Sequence, residues 1–372
     1  MTPTSDAQLK AEAEAKPQKT ATDAYLGELT GEELLIWRMA DLPNRPSADE
    51  RNMQTEFMMG WYCVCYSHDL EVGQVRPARY FAQDLAIWRG EDGEARVINA
   101  YCAHYGANLA VGGKVHGNLL ECPFHAWRWN EKGACEDIPY SRAIPPKAKR
   151  DNCIPSWPVR EVNGMVMVWY HPEKAAPQWE PATFEEAGDD SWTDFRTYEW
   201  HVYSAMENIA DNAVDVSHFK YVHGAKSVPD YEFKFDGIRR IITSYLKMHT
   251  PRGEIDGVIE SVTVGPGQGY VRFSGITDTV MMTGTCPVDR DITHNRMAFT
   301  QPKANVDGPT AGLTKAIVKD ITRQFDQDKV ILDRHVRKDP PMVCEGDGPF
   351  GRNRVYYKQF YASHNKDKPE AA

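Results

Sequence analysis

The stretch Cys102-Ala103-His104-Tyr105-Gly106-Ala107-Asn108-Leu109, with Cys122-Pro123-Phe124-His125-Ala126-Trp127 after it, decides how this chain reads. It sets C-x-H and C-x-x-H on two segments with seventeen residues between His104 and Cys122. Two thiolates and two imidazoles can hold zinc in a tetrahedral site. They can equally hold a [2Fe–2S] cluster with both cysteines on one iron and both histidines on the other. Zinc knuckles commonly pair Cys with Cys and His with His. Here each knuckle supplies one Cys and one His, so each loop can offer one ligand to each iron, and the spacing favours the cluster over zinc. Neutral imidazoles in place of two thiolates make such a cluster less negative and easier to reduce.

Working outward, the chain from Gly60 to about Tyr170 reads as short strands between turns such as Val72-Gly73, Gly112-Gly113, Lys132-Gly133 and Asn163-Gly164. That punctuation predicts a small all-β domain. Within it, Gly60-Trp61-Tyr62-Cys63-Val64-Cys65-Tyr66 reads as a buried strand, and its two thiols as core residues. Upstream, residues 31–40 carry a short amphipathic helix signal that stops before Pro43. Residues 1–22, rich in Ala, Lys, Glu and Gln, read as a tail or a solvated helix. Prolines at 172, 177 and 181 mark a linker. The expected organisation is an extension over 1–56, a β domain over 57–172 and a second domain over 173–372.

The second domain changes period. Met206, Ile209, Ala210, Ala213, Val214 and Ser217 recur at helical spacing within 198–224, residues 228–302 alternate, and a long helix is predicted from about Thr310 to Arg337. The fold class is therefore α+β. Asn212-Ala213-Val214-Asp215-Val216-Ser217-His218-Phe219-Lys220-Tyr221-Val222-His223 contains D-x-x-H-x-x-x-x-H. On a helix Asp215 and His218 would share a face, and His223 would fall off it unless the helix loosens near Gly224. Two histidines plus a carboxylate with open positions form the facial triad of non-heme Fe(II) oxygenases. The run Phe325 to Asp333 offers the later carboxylate; Asp326 and Asp333 fall on other helix faces than Asp328 and are expected to be solvated. Glu207 reads either as a pocket residue or as an ordinary helix-start carboxylate.

Composition narrows the function classes. With 43 Lys+Arg against 53 Asp+Glu the formal charge is −10, which argues against a nucleic-acid partner. The longest apolar runs are far short of a membrane helix, and the polar first residues lack a signal-peptide core. A soluble, cytoplasmic protein is expected, its eight cysteines serving as thiols or metal ligands. Gly265-Pro266-Gly267-Gln268-Gly269 precedes a strand rather than a helix, so it reads as a turn. No NAD or flavin domain is visible, and electrons must come from another protein.

The two Cys/His loops resemble the cluster-binding loops of Rieske non-heme iron oxygenases. The likeness spans Gly60 to His171, including Arg79-Tyr80-Phe81, Trp88-Arg89-Gly90 and Ser156-Trp157-Pro158-Val159-Arg160. Ala103 and Ala126 depart from it, standing where many relatives carry Pro and Gly. The resemblance implies a [2Fe–2S] cluster on Cys102, His104, Cys122 and His125, and a mononuclear Fe(II) on His218, His223 and Asp328. It makes Asp215 the bridge that carries electrons between subunits, and puts Asn212 beside the metal. It also implies a helix-grip catalytic domain, with the substrate cavity between sheet and long helix, and a ring-shaped homotrimer. A ferredoxin or flavin reductase would pass on electrons from NAD(P)H, with O2 as co-substrate.

The β half and the tail (Asp339-Pro340-Pro341, Gly346-Asp347-Gly348-Pro349 and Arg354 to Tyr361) resemble the steroid 9α-hydroxylase oxygenase group and its cholesterol-desaturase relatives. That implies hydroxylation of a C–H bond in a polycyclic, steroid-like substrate. Two alternatives stand beside it: hydroxylation or O-demethylation of a smaller aromatic, and a pure electron carrier that holds a cluster but no second iron.

Overall fold

A computed structural model describes residues 20–365 apart from 28, 30, 43–44, 54, 251–252, 276 and 309. The tail expected over 1–22 thus lies outside the described residues as far as residue 19. Helix α1 (Ala21–Leu26) opens where Thr20 and Asp23 cap each other, Asp23 N–H donating to Thr20 Oγ1 and Thr20 N–H to the Asp23 carboxylate. Helix α2 (Gly31–Met39) follows, where the sequence predicts it.

Ten short strands then build the β domain. They are β1 (Gly60–Tyr66), β2 (Val75–Tyr80), β3 (Gln83–Arg89), β4 (Ala95–Asn99) and β5 (Lys114–His116), then β6 (Leu119–Glu121), β7 (Arg128–Trp129), β8 (Cys135–Asp137), β9 (Val159–Val162) and β10 (Met165–Tyr170). They form three antiparallel sheets, β1-β10-β9, β2-β3-β4 and β5-β6-β7-β8. Every residue of β1 and β10 is buried, which is why these strands read as unbroken apolar runs. Cys63 and Cys65 are core thiols, pushed up to about 12 and 11 by burial.

The second half is one seven-stranded antiparallel sheet in the order β11-β17-β16-β15-β14-β13-β12. Its strands are β11 (Arg196–Val202), β12 (Asp230–Asp236), β13 (Arg239–Thr250), β14 (Gly253–Val264), β15 (Gln268–Ser274), β16 (Thr279–Asp289) and β17 (Ile292–Thr300). Helices α3 (Met206–Asn212) and α4 (His218–Tyr221) lie between β11 and β12. After the sheet come α5 (Lys303–Val306), the long α6 (Ala311–Leu332), α7 (Phe350–Lys358) and α8 (Ala362–Asn365). No helix among the described residues is long and apolar enough to cross a membrane.

Three expectations need correcting. The helical period assigned from 198 begins too early: Trp200 and Val202 alternate inward, both 0% exposed, on a strand paired with β17. The segment 206–223 is not one helix that loosens at Gly224 but two short helices broken between Asn212 and His218. The long helix also ends at Leu332, five residues before Arg337.

The two halves meet backbone to backbone. A Cβ on Gly284 would lie 2.8 Å from the Cβ of Cys63, and one on Gly267 would lie 2.4 Å from the carbonyl oxygen of Trp61. Strand β1 slips register between Cys63 and Cys65. Arg296 of β17 donates to the carbonyls of Cys63 (2.9 Å) and Val64 (3.1 Å) at that bulge. Glu199 neutralises the buried guanidinium at 2.8 Å. Because Arg296 can only donate, Nδ1 of His294 (3.0 Å away) accepts, and that imidazole stays neutral; burial and the adjacent guanidinium lower its pKa to about 3.

Candidate metal centres

Each Cys/His loop is closed by its own backbone. Cys102 N–H donates to the carbonyl of Ala107 (2.9 Å), and Gly106 N–H donates back to Cys102 (2.8 Å). The second loop repeats the pattern, Cys122 N–H to Trp127 (2.8 Å) and Ala126 N–H to Cys122 (3.0 Å). Both residues four places after the cysteine take positive φ, +77° at Gly106 and +54° at Ala126. The turn thus demands a left-handed residue, and Ala126 occupies it at a cost Gly106 does not carry.

The loops bring the His104 and His125 rings to 4.8 Å between centroids. Trp127 stacks on His104 at 4.3 Å and 8°, with its indole N–H donating to Tyr140 Oη at 2.7 Å. Cys102 and Cys122 are buried. Burial and the neighbouring Cys122 thiol push Cys102 up to about 11, against a backbone N–H of His104 that pulls it down. Nδ1 of His104 and Nδ1 of His125 are both buried without any hydrogen-bond partner. Two orphaned imidazole nitrogens beside two buried thiols are unfavourable unless a metal takes the lone pairs. The donor set fits a mixed Cys/His iron–sulfur cluster.

The second centre is drawn from distant segments. His218, His223 and Asp328 bring one ligand atom each to within 4.8 Å of one another, although His223 and Asp328 come from different elements. Asp328 Oδ1 lies 3.3 Å from His223 Nε2 and 3.8 Å from His218 Nε2. Each imidazole is oriented from behind. His218 Nδ1 meets the backbone carbonyl of Asp215 in a short contact. His223 Nδ1 donates to Gln327 Oε1 at 2.9 Å, while the Gln327 amide donates to Asp23 at 2.6 Å. Both Nε2 lone pairs are thereby left for a cation, as a two-histidine, one-carboxylate iron site requires. Asn212 donates to Asp328 Oδ2 at 3.0 Å.

The Asp215 carboxylate does not share a helical face with His218. It sits in the break, where Oδ1 accepts the backbone N–H groups of Ser217 (3.1 Å) and His218 (3.4 Å). The break is propped by the tail: Ser217 donates to the Gly346 carbonyl at 3.0 Å, and a Cβ on Gly348 would fall 1.8 Å from the carbonyl of Val214. Asp326 and Asp333 are not solvated, both being 2% exposed. Asp326 takes a bidentate pair from Arg38 of α2 (2.7 and 2.6 Å) and the Trp200 indole N–H; Asp333 takes Lys329 at 2.8 Å and the Tyr203 N–H. Glu207 is a buried network residue bonded to Tyr361, and burial raises its pKa. The roles of Gln327, Asp23 and Arg38 carried no sequence signal, since they depend on partners far along the chain.

A cavity of about 200 Å³ opens beside this centre, between the sheet and the helices α3 and α6. It reaches Asn212 and Phe325, and its apolar wall includes Met206, Ile209, Val271, Met281 and Met297.

Residues 60–158 match the Rieske [2Fe-2S] domain family and residues 168–361 the 3-ketosteroid 9α-hydroxylase C-terminal domain family. A probable 3-ketosteroid-9-alpha-monooxygenase oxygenase component of Rhodococcus rhodochrous is 32% identical, over 84% of this chain and 82% of that protein. A cholesterol 7-desaturase of Xenopus laevis is 30% identical, over 82% and 72%. Dicamba monooxygenase, solved with dicamba bound, shares the fold at a TM-score of 0.69 and 17% identity, over 82% of this chain and 98% of that one. The chain belongs to the Rieske oxygenase family whose catalytic half is the 3-ketosteroid 9α-hydroxylase C-terminal domain.

Proposed function

We propose that this chain is the terminal oxygenase of a multicomponent system that hydroxylates a C–H bond of a polycyclic, steroid-like substrate. The observation that carries this reading is the pairing of two donor sets in one chain, with a largely apolar cavity beside the second. Cys102, His104, Cys122 and His125 would hold the cluster, and His218, His223 and Asp328 the mononuclear iron. When bound, these groups supply single electrons and O2 activation respectively. The protein's own residues do the rest: Asp215 and Gln327 aim the two imidazoles, Asn212 steadies Asp328, and the Met and Phe wall excludes water. The steroid reading is supported by the two relatives at 32% and 30% identity, whose names are those of steroid-acting enzymes.

The electron donor is a separate ferredoxin or flavin reductase fed by NAD(P)H. A cytoplasmic location suits eight unbridged cysteines. The domain limits of 57–172 and 173–372 follow the three small sheets and the large one. A head-to-tail homotrimer is supported by exposed apolar side chains on the two segments it would join: Tyr105 and Phe124 on the cluster loops, their rings 6.2 Å apart, and Tyr221 on α4. A heterologous contact between such segments closes a ring, and it would bring Asp215 to His104 or His125 of the adjacent subunit.

The test is a product screen by mass spectrometry, with iron-loaded protein and a generic reductase, across steroids and simple aromatics. An oxygenated steroid is expected. Oxygenation confined to the aromatics overturns the substrate class, and a protein that binds a cluster but no further iron is an electron carrier instead.

A further inference from the structure

The cavity wall carries two arginines and no carboxylate. Arg296 is neutralised by Glu199, but Arg240, 2% exposed, forms no ion pair among the described residues. Its Nη1 donates to the Ala210 carbonyl (3.2 Å) and to Asn353 Oδ1 (2.7 Å), and its Nη2 to Thr263 Oγ1 (2.7 Å). Its guanidinium lies over the Tyr357 ring at 5.6 Å, and its Nε is buried with no acceptor. Other buried arginines are answered by carboxylates: Arg38 by Asp326, Arg89 by Glu161 and Arg96 by Asp92, while Arg51 has Asp291 and Asp333 near enough to act on its charge. A buried cation with only neutral partners is costly, and an anion repays that cost where a neutral carbonyl does not.

The sheet register extends this pole across the cavity floor. Arg240 pairs with Thr263, Thr263 with Gly269, Gly269 with Thr283 and Thr283 with Met297. Hydroxyls of Thr263 and Thr283 therefore follow the arginine along the wall, and apolar surface begins at Met297.

We propose that Arg240 is the specificity residue of this cavity and that the substrate is a polycyclic carboxylic acid. Its carboxylate is held by Arg240 with the Thr263 hydroxyl, while its rings lie along the apolar wall toward Asn212 and Phe325. This rests on the steroid-like reading above and narrows it from neutral steroids to steroid acids.

The test compares a steroid bearing a side-chain carboxylate with its methyl ester, using iron-loaded protein. Affinity is read as a shift in thermal midpoint, and turnover as kcat and KM. The acid is expected to bind about tenfold or more tighter, the difference lying in KM, because a buried polar group is left unpaired by the ester. Arg240→Gln should erase the acid's advantage over the ester, with the cluster spectrum retained; Arg240→Lys should restore part of that advantage. Equal affinity for acid and ester in the unmutated protein overturns the proposal even if Arg240→Gln fails to fold. So does an Arg240→Gln protein that loses both substrates equally. If neither steroid binds while simple aromatics are oxygenated, it is the steroid reading that falls, and this proposal with it.

Discussion

The cluster loops and the iron segment both present histidines to a metal, but they are built on opposite principles. Each cluster loop is a closed unit in which the backbone of Cys102 or Cys122 bonds to residues four and five places on. The ligand positions follow from half a dozen residues of local geometry. The iron site has no such autonomy. His218 and His223 come from a broken helix, Asp328 from near the C-terminal end of α6, and the residue that orients His223 is separated from it by 104 positions. That site is held by elements from both ends of the chain: Asp23 and Arg38 brace α6 from the N-terminal side, and Gly346 and Gly348 prop the break from the C-terminal side. A locally closed loop tolerates change elsewhere, whereas a site assembled across the chain inherits the stability of every brace.

The sharpest way to break this comparison is to remove iron ligands one at a time. His218→Ala, His223→Ala or Asp328→Ala should abolish turnover and lose the mononuclear iron, with the absorption and EPR signature of the cluster retained. Loss of the cluster in the same variants would show that the two sites are not independent.

Asp215→Asn should come next in size. Asparagine keeps an oxygen for the Ser217 and His218 N–H groups, so the break should survive and both metals should bind near normally. Reduction of the cluster by an external donor should be intact, while its reoxidation with substrate and O2 slows greatly in stopped-flow measurements. Wild-type reoxidation would make Asp215 a capping residue and nothing more.

The braces are tested through stability. Arg38→Ala leaves Asp326 buried without its bidentate partner, for an expected loss of about 3–5 kcal/mol in denaturant unfolding of the catalytic half. A loss below about 1 kcal/mol would mean that α2 does not support the helix carrying Asp328. The smallest effect is expected in a cluster loop. Ala126→Gly relieves the positive φ and should stabilise by up to about 1 kcal/mol; Gly106→Ala, where a Cβ meets nothing within 4 Å, should cost a similar amount through backbone strain alone. Opposite signs at equivalent positions would establish that the two loops share one turn geometry.

Much of this was legible in the residues themselves. The cluster loops, the buried β1 run, the alternation of the large sheet and the D-x-x-H-x-x-x-x-H segment are local patterns, carried by side-chain period, turn residues and spacing. The helical face assigned to Asp215 and His218 was not what the chain adopts, because a periodic pattern cannot register the tail that packs into the break at Val214. Asp326 and Asp333 read as solvated because α6 alone offers Asp326 no partner and Asp333 only Lys329; Arg38, Trp200 and the Tyr203 N–H bury them only once distant segments dock. The strand at Arg196–Val202 was masked by the helical spacing that follows it, and pairing with β17 settles it.

The amino-acid sequence by itself determined the donor types, their grouping into two centres and the order of the two domains, since each rests on neighbours within one turn or one loop. Which carboxylates are buried, where the iron helix breaks, and the lone arginine left facing the cavity were decided only by tertiary structure. Burial and charge compensation depend on which remote groups arrive within hydrogen-bonding distance, and only the folded chain brings them there.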